Sequence, residues 1–319
     1  LDITGGSEVR SQTFDSGNAG NITVLPLDLN RRSAASVTIS GFAPFPTLAN
    51  GDRGGFSSGL FATTEKTATG RGGTIDVTTG SLVIEQGGVL SARSRGAGDG
   101  VQTAGDTAIA VNVDSLIIRS GGQILTTAFG SGLAGGIEVN ATGNVLITGS
   151  DPTRTQRFSA VEAIFGADIA RDTIDTVSRF SGLQAQSLSN SGTGSGNVQV
   201  TSENGSIVLL DSARINSNTA GRNAPAGIVL LNANQGNVVL DNAFVFSTVE
   251  PGAVDSAAGG IGIEGKSIFL SGGAQLQTLI RGTVNSAQPD TSGATGLILL
   301  QAEDQVSLVG SGTAIFSSI

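Results

Sequence analysis

A short pattern of strand and turn residues recurs from one end of the chain to the other. It occurs as GGIEVNATGNVLIT at 135–148, as GGTIDVTTGSLVI at 72–84 and as GGIGIEGKSIFL at 259–270. Each copy contains two glycines, a pair of apolar residues two positions apart, a polar turn and a second such pair. A repeated unit of this size is the sequence signature of a solenoid, in which each repeat packs on its neighbours.

Three kinds of apolar pair follow one another in a fixed order about nine times. The first strand of each repeat is predicted from Ile22/Val24, Ile75/Val77, Ile109/Val111, Ile137/Val139, Val198/Val200, Ile228/Leu230, Ile261/Ile263 and Leu297/Leu299. The second strand is predicted from Leu1/Ile3, Val37/Ile39, Leu82/Ile84, Leu116/Ile118, Val145/Ile147, Ile207/Leu209, Val238/Leu240, Ile268/Leu270 and Val306/Leu308. The third strand pairs an aliphatic with a small residue, at Val9/Ser11, Leu60/Ala62, Leu90/Ala92, Ile124/Thr126, Leu183/Ala185, Ile215/Ser217, Val245/Ser247, Leu276/Thr278 and Ile315/Ser317.

The spacing within and between these pairs predicts the fold class. Members of a pair are two positions apart, which is the period of a strand and not of a helix. Strands of about 3 to 5 residues bury their apolar side chains only when equivalent strands of successive repeats stack about 4.8 Å apart. We therefore predict an all-β fold, a single parallel β-helix domain over 1–319 with about nine coils of three short strands.

Two longer interruptions separate a second strand from a third strand, at about 41–58 and 149–181. We expect both insertions to leave the same side of the rod, three coils apart. In the second insertion, 159–180 has apolar residues at partly helical spacing and predicts a short, Gly-interrupted amphipathic helix packed on the outside of the coil. Glycine-rich segments at 96–100, 130–136 and 192–196 fall between a third strand and the next first strand, where we expect positive φ at the corners.

Composition excludes several classes of partner. The net charge is −9, and no cluster of lysines or arginines supplies the counter-charge that nucleic acid or an anionic membrane requires. No apolar run reaches the roughly 18 residues of a membrane span. The chain has no cysteine, which excludes a disulfide framework. Because it begins and ends within a repeat, we expect it to be an internal fragment of a longer protein or a proteolysed remnant.

One segment resembles a repeat unit of cyanobacterial filamentous-haemagglutinin-like exoproteins of the two-partner secretion class. In that family a VTVSG strand, a variable loop, an SGLFA-T strand and a GxAGxIxI turn follow in order. Here the corresponding segments are VTISG (37–41), SGLFATT (58–64) and GRGGTIDV (70–77), with a degenerate copy in VLITG (145–149) and SGLQAQS (181–187). The likeness extends over nearly the whole chain, as a likeness of repeat units.

The resemblance implies a right-handed parallel β-helix that passes unfolded through an outer-membrane secretion pore and serves adhesion or extracellular construction. It therefore implies an extracellular or cell-surface location, and the absence of cysteine suits export of an extended chain. The amino-terminal secretion domain of the family, with its asparagine-proline-asparagine signatures, is absent from this sequence.

Parallel β-helices also include polysaccharide lyases and hydrolases, so a carbohydrate-active enzyme is the alternative function. Such sites need converging carboxylates with an Arg, Lys or His on neighbouring coils. The chain has no histidine. The predicted outward positions of the first strand contain no adjacent acidic pair: Thr23, Asp76, Ala110, Glu138, Gln199, Val229, Gly262 and Ile298. We therefore predict that the protein is not an enzyme and has no catalytic residue or cofactor.

One charge cluster lies in the second insertion. Its members are Asp151, Arg154, Arg157, Asp168, Arg171, Asp172, Asp175 and Arg179. A sugar-binding or calcium-binding loop is one interpretation, but mixed charges at helical spacing are typical of solvated surface pairs, which we favour. The calcium-binding nonapeptide repeat is absent, so no metal site is predicted.

The sharpest candidate for a functional surface is an apolar column on the second strand. Residues at the middle of this strand should point outward, yet over six consecutive coils they are Val83, Ile117, Leu146, Val208, Val239 and Phe269. Proteins seldom leave such a surface bare. Either the second insertion covers it, or it contacts another β-helix, a surface protein or a glycan. The sequence thus predicts a structural or adhesive protein that displays loops and a lateral surface.

Overall fold

The computed structural model describes residues 1–28, 35–43, 55–100, 106–167, 178–283 and 296–318, which form a parallel β-helix. The larger of its two parallel sheets contains 13 strands: β1 (Asp2–Thr4), β3 (Ile22–Val24), β4 (Ser36–Ser40), β6 (Ile75–Glu85), β8 (Thr107–Arg119), β10 (Gly136–Ala141), β11 (Val145–Thr148), β13 (Val198–Ser202), β14 (Ile207–Leu210), β16 (Val229–Ala233), β17 (Val238–Asp241), β19 (Ile261–Ser271) and β21 (Ile298–Leu308). The smaller sheet contains nine: β2 (Glu8–Thr13), β5 (Gly59–Thr64), β7 (Val89–Ser91), β9 (Gln123–Leu125), β12 (Gly182–Gln184), β15 (Arg214–Asn216), β18 (Phe244–Phe246), β20 (Gln275–Leu279) and β22 (Ala314–Ser318).

First and second strands of the repeat share the larger sheet, and third strands form the smaller one. In four coils the first and second strands are one continuous strand, as in β6 and β8. The two strands remain separate where a polar turn lies between them, as between β13 and β14 at Glu203–Ser206. The expectation of three short strands in every coil is therefore wrong for β6, β8, β19 and β21. In these coils the chain bends between the first and second strands without forming a turn, so the backbone stays extended and the two strands are continuous.

Inward side chains stack in columns, with one residue contributed by each coil. Ile75, Ile109, Ile137 and Val198 are successive neighbours in parallel register, and all are buried. The predicted columns of the second and third strands also form, for example Ile84, Ile118, Ile147 and Leu209. Burying each aliphatic side chain contributes on the order of 1.5 to 3 kcal/mol, so these columns hold the rod together.

Two coils differ from the predicted register by one residue. Val229, and not Ile228, pairs with Val198, and Ile298, and not Leu297, pairs with Ile261. The predicted inward residues Ile228, Leu230, Leu297 and Leu299 are instead 47%, 43%, 70% and 45% exposed. The error arose because 228–231 and 297–300 are aliphatic at every position, so apolar alternation does not choose a register. A slip of one residue reverses the two faces of a strand.

A column of glycines marks the correct register. Gly196, Gly227, Gly259 and Gly296 each lie two positions before the inward residue that begins a first strand. A Cβ on Gly227 would overlap the carbonyl oxygen of Gly196, and Gly259 and Gly296 are related to the preceding glycine in the same way. These glycines are required by close approach of adjacent coils.

Positive φ occurs mainly at a different corner from the one predicted. In each of the nine coils the second residue after an inward second-strand residue has positive φ: Gly5, Gly41, Gln86, Ser120, Gly149, Asp211, Asn242, Gly272 and Gly310. This is the corner between the second and third strands. At the corner between third and first strands, glycines such as Gly98 and Gly130 would instead place a Cβ against the backbone of the preceding coil.

Both insertions leave and rejoin the coil at equivalent points. An antiparallel bridge joins Phe42 to Ser57 at the base of the first insertion, and another joins Ser150 to Phe180 at the base of the second. Helix α1 (Arg154–Phe165) begins earlier than predicted and ends before Gly166, whose φ is +90°. Of the rest of the predicted helix, 168–177 lies outside the described residues, and 178–180 is not helical.

Candidate contact surfaces

The six predicted outward residues of the second strand form one continuous column, here called the stripe. Val83 pairs with Ile117, Ile117 with Leu146, Leu146 with Val208, Val208 with Val239, and Val239 with Phe269. Five strand spacings of about 4.8 Å give the stripe a length of about 24 Å. All six side chains are partly exposed, whereas the residues on either side of each in its strand are buried.

Polar residues border the stripe. Thr38 precedes Val83 in the column and Ser307 follows Phe269. Two residues after Thr38 and after each stripe residue lies a second outward column, here called the flanking column: Ser40, Glu85, Arg119, Thr148, Leu210, Asp241 and Ser271. Within it the exposed Arg119 pairs with Glu85, with 2.6 Å between Nε and Oε2. An apolar centre with a polar rim is the usual anatomy of a protein interface.

The described part of the second insertion packs at the corner between second and third strands and on the smaller sheet. Gln123 of β9 donates from Nε2 to the carbonyl oxygens of Ser178 and Phe180, at 2.6 and 2.9 Å. Asp151 fills the space beside Gly121, where a Cβ would overlap its side chain. All six stripe residues stay partly exposed in the presence of these segments, so the described part of the insertion does not bury the stripe.

The charge cluster of the second insertion is only partly a solvated one. Asp151 accepts a hydrogen bond from Arg157 Nη2, and both residues are buried, at 6% and 2% exposure. The favoured interpretation of solvated surface pairs is therefore wrong for this pair, because Arg157 packs against Gly87 and Asp151 against Gly121, on two successive coils. Four further members of the cluster lie outside the described residues: Asp168, Arg171, Asp172 and Asp175.

A second apolar surface was missed because of the register error. Leu230 and Leu299, which the sequence analysis placed inside the coil, face outward on either side of Gly262. Leu230 Cδ2 packs over Gly262, and a Cβ on residue 262 would lie only 2.8 Å from it. A groove of about 160 Å³ runs between these residues and continues to Gln199 and Gln301.

The smaller sheet has a polar cleft that sequence reasoning also missed. It is lined by Gln186, Leu188, Arg214, Asn216, Asn218, Phe246, Thr248, Glu250 and Arg281, and its volume is about 400 Å³. Glu250 organises one wall, because its Oε1 accepts hydrogen bonds from Asn218 Nδ2 and Thr248 Oγ1 at 2.8 and 2.9 Å. Arg281 lies beside the same carboxylate, with 3.7 Å between Nη1 and Oε2.

Two buried amides in this cleft have an unused acceptor. Gln186 and Asn216 are 3% and 5% exposed, yet Gln186 Oε1 and Asn216 Oδ1 accept no hydrogen bond from any residue that the structure describes. An unsatisfied buried acceptor costs about 1 to 3 kcal/mol. A signal for this cleft exists in the sequence, since outward third-strand positions in these coils include Gln186, Asn216, Asn218 and Thr248.

Arg214 contributes a cation to the edge of the cleft. Its guanidinium carbon lies 3.7 Å from the ring centroid of Phe180 and 5.3 Å from that of Phe244. Burial lowers the pKa of the Arg214 guanidinium, and the neighbouring charge of Arg179 lowers it further. Contact with two aromatic faces offsets part of the cost of desolvating this charge.

Acidic residues do not converge on the outer face of the first strand. Asp76 and Glu138 belong to the same outward column, but Ala110 lies between them. Among the described residues, no three acidic, histidine or cysteine side chains are grouped closely enough to hold a metal ion. The same part of the chain contains no helix of the length and apolarity that crossing a bilayer requires.

Comparison of the chain with protein-family models, with curated proteins and with solved structures found no match.

Proposed function

We propose that this protein is a rod-shaped structural or adhesive segment that acts at the cell surface or outside the cell by lateral contact with other macromolecules. The single observation that carries the proposal is the stripe, six apolar side chains in direct register over about 24 Å of the outer surface. Soluble proteins rarely leave a contiguous apolar surface of this kind unless it binds something.

The fold suits a role in display. Each coil contacts only its neighbours, so the rod is stiff along its length and tolerates insertions at its corners. The described residues of both insertions lie on one side of the rod, at equivalent corners marked by the bridges Phe42–Ser57 and Ser150–Phe180. Export through an outer-membrane secretion pore, which the resemblance to two-partner exoproteins implies, is part of the same proposal.

A direct test is adhesion of coated beads. Beads carrying the protein should adhere to one another or to intact cells, and the variant Leu146→Asp/Val208→Asp should reduce this adhesion at least tenfold. The matched control is Thr78→Asp/Asn112→Asp, two neighbouring outward residues of the first strand away from the stripe. Circular dichroism checks that both variants keep the β-helix. Adhesion that is unchanged by the stripe variant would refute the proposal.

A second candidate function is glycan binding in the cleft of the smaller sheet. It rests on the polar lining of the cleft, in which Asn218, Thr248 and Glu250 offer hydrogen-bonding groups to sugar hydroxyls, and on the partly exposed Phe246. The carbohydrate-active enzyme remains the alternative to simple binding, with Glu250 as the carboxylate that lines the cleft. Incubation with acidic and neutral polysaccharides separates the two, because only an enzyme releases new chain ends.

A further inference from the structure

We propose that the partner of the stripe is a second copy of this chain, bound face to face with the two rod axes antiparallel. The inference rests on the proposed function of the stripe as a contact surface and specifies its occupant. A two-fold axis parallel to the strands would pass between the coils of Leu146 and Val208, the middle of the stripe. In such an isologous contact both copies use the same surface, so every contact between two different residues occurs twice, once on each side of the axis.

The antiparallel order pairs all six stripe residues with one another. Val83 would face Phe269 of the other copy, Ile117 would face Val239, and Leu146 would face Val208. The largest side chain thus meets one of the smallest, and the middle pairs are of similar size. The polar ends of the column, Thr38 and Ser307, would also lie opposite each other, so the apolar length of one copy matches that of its partner.

Charge in the flanking column selects this order. Arg119 and Asp241 lie at equal distances from the proposed axis, one coil beyond Thr148 and Leu210 respectively. Each Arg119 would therefore face Asp241 of the other copy, which gives two ion pairs. Both side chains are exposed, and face-to-face sheets lie about 10 Å apart, a distance that an arginine and an aspartate together can span.

The exposed carboxylate of Asp241 can accept such a partner. Its Oδ1 accepts a hydrogen bond from Ser271 at 2.8 Å, and it forms no ion pair with the described residues. Arg119 keeps its contact with Glu85, so the interface would join Glu85, Arg119 and the partner's carboxylate in a row.

Other arrangements are electrostatically poorer. Shifting the antiparallel copies by one coil in either direction removes both Arg119–Asp241 pairs, and in one direction it places Glu85 opposite Asp241, which repels. With parallel rods about a two-fold axis, the flanking column would face the column on the other side of the stripe. That column contains no charge: Ser36, Ser81, Ser115, Asn144, Ser206, Asn237 and Ser267. A parallel dimer would then form no ion pair across the stripe.

Disulfide trapping tests the order of the rods, and the chain suits it because it has no cysteine of its own. The double variant Ile117→Cys/Val239→Cys should form a cross-linked dimer under mild oxidation, since each cysteine would face its counterpart. The single variants Ile117→Cys and Val239→Cys should cross-link at least tenfold more slowly. A control double variant with cysteines outside the stripe, Thr23→Cys/Gln199→Cys, should form no covalent dimer.

Charge reversal gives a second measurement. Arg119→Asp and Asp241→Arg should each weaken self-association in sedimentation experiments, and the combined variant should restore it to within about threefold of wild type. Loss of affinity in the combined variant would overturn the inference.

The outcomes distinguish this inference from the function on which it rests. Rapid cross-linking of Ile117→Cys to itself would show parallel copies, which overturns the antiparallel order while leaving the stripe as a contact surface. Absence of every cross-link, with a monomer at all concentrations, would overturn the second copy as partner. If bead adhesion is insensitive to Leu146→Asp/Val208→Asp, the proposed function itself fails.

Discussion

The Arg157 guanidinium carbon of the second insertion lies 4.3 Å from the ring centroid of Phe42 in the first insertion. Phe56 and Phe165 meet alongside, with ring centroids 5.8 Å apart, and Val161 packs against Phe56. The insertions precede β5 and β12, three coils apart. Arg157 of α1 and the preceding Asp151 lie against Gly87 and Gly121, at the short corners of the two coils between them. The two insertions therefore form one packed unit on the outside of the rod.

Removing the carboxylate of Asp151 should release this unit. Asp151→Asn leaves the Arg157 charge buried without its counter-ion, which costs about 3 to 5 kcal/mol. We expect amide protons of α1 to lose hydrogen-exchange protection while those of β8 and β10 keep it. The control is Glu85→Gln, which removes the partner of an arginine whose side chain is 53% exposed and should cost less than about 1 kcal/mol. Equal protection of α1 in Asp151→Asn and wild type would contradict the prediction.

The glycine column should not tolerate a methyl group. In Gly227→Ala the new Cβ would overlap both Gly196 O and Ser217 Oγ, whose mutual hydrogen bond is 2.6 Å long. We expect the free energy of unfolding to fall by about 1 to 3 kcal/mol, measured by urea denaturation. Gly17→Ala is the matched control, because a Cβ there meets nothing within 4 Å and its φ is not positive. If the two variants have the same stability, close approach is not the reason for the column.

The corrected register makes a prediction about two adjacent residues. Val229→Asp places a charge in the core and should destabilise the rod by several kcal/mol, whereas Ile228→Asp should change the free energy of unfolding by less than about 1 kcal/mol. The reason is that Val229 is fully buried and Ile228 is 47% exposed. Thermal denaturation followed by circular dichroism separates the two. The opposite order of stability would restore the predicted register.

Glycan binding in the cleft should depend on its polar lining. Asn216→Ala removes an amide group that lines the cleft and should weaken binding of a captured oligosaccharide about 5- to 30-fold, which corresponds to about 1 to 2 kcal/mol. A glycan array identifies the oligosaccharide, and titration calorimetry with Asn216→Ala measures the loss. Asn237→Ala, on the larger sheet, is the control. Binding that is equal in both variants would place the glycan elsewhere, and an array without any ligand would remove the second candidate function.

Much of the fold was accessible from the sequence because a β-helix repeats the same short-range requirement in every coil. Alternating pairs such as Ile75/Val77 and Ile137/Val139 specify strand, face and order together, since side chains alternate strictly along a strand. The insertions were visible for the same reason, as departures from a regular spacing. Where alternation is lost, as in Ile-Val-Leu-Leu at 228–231, the register was wrong, and with it the outward surface around Leu230 and Leu299.

The sequence by itself determined the nine-coil organisation, the inward columns of the second and third strands, and the outward position of the six stripe residues. Only the tertiary structure decided that Asp151 and Arg157 are buried, that the insertions meet at Phe42, and that Gln186 and Asn216 lie with unused acceptors in a cleft. The physical reason is the separation along the chain of the residues that decide each feature. Which face of a strand a side chain occupies depends on its neighbours in the chain, whereas the partners of an outward side chain depend on how separate coils and insertions pack.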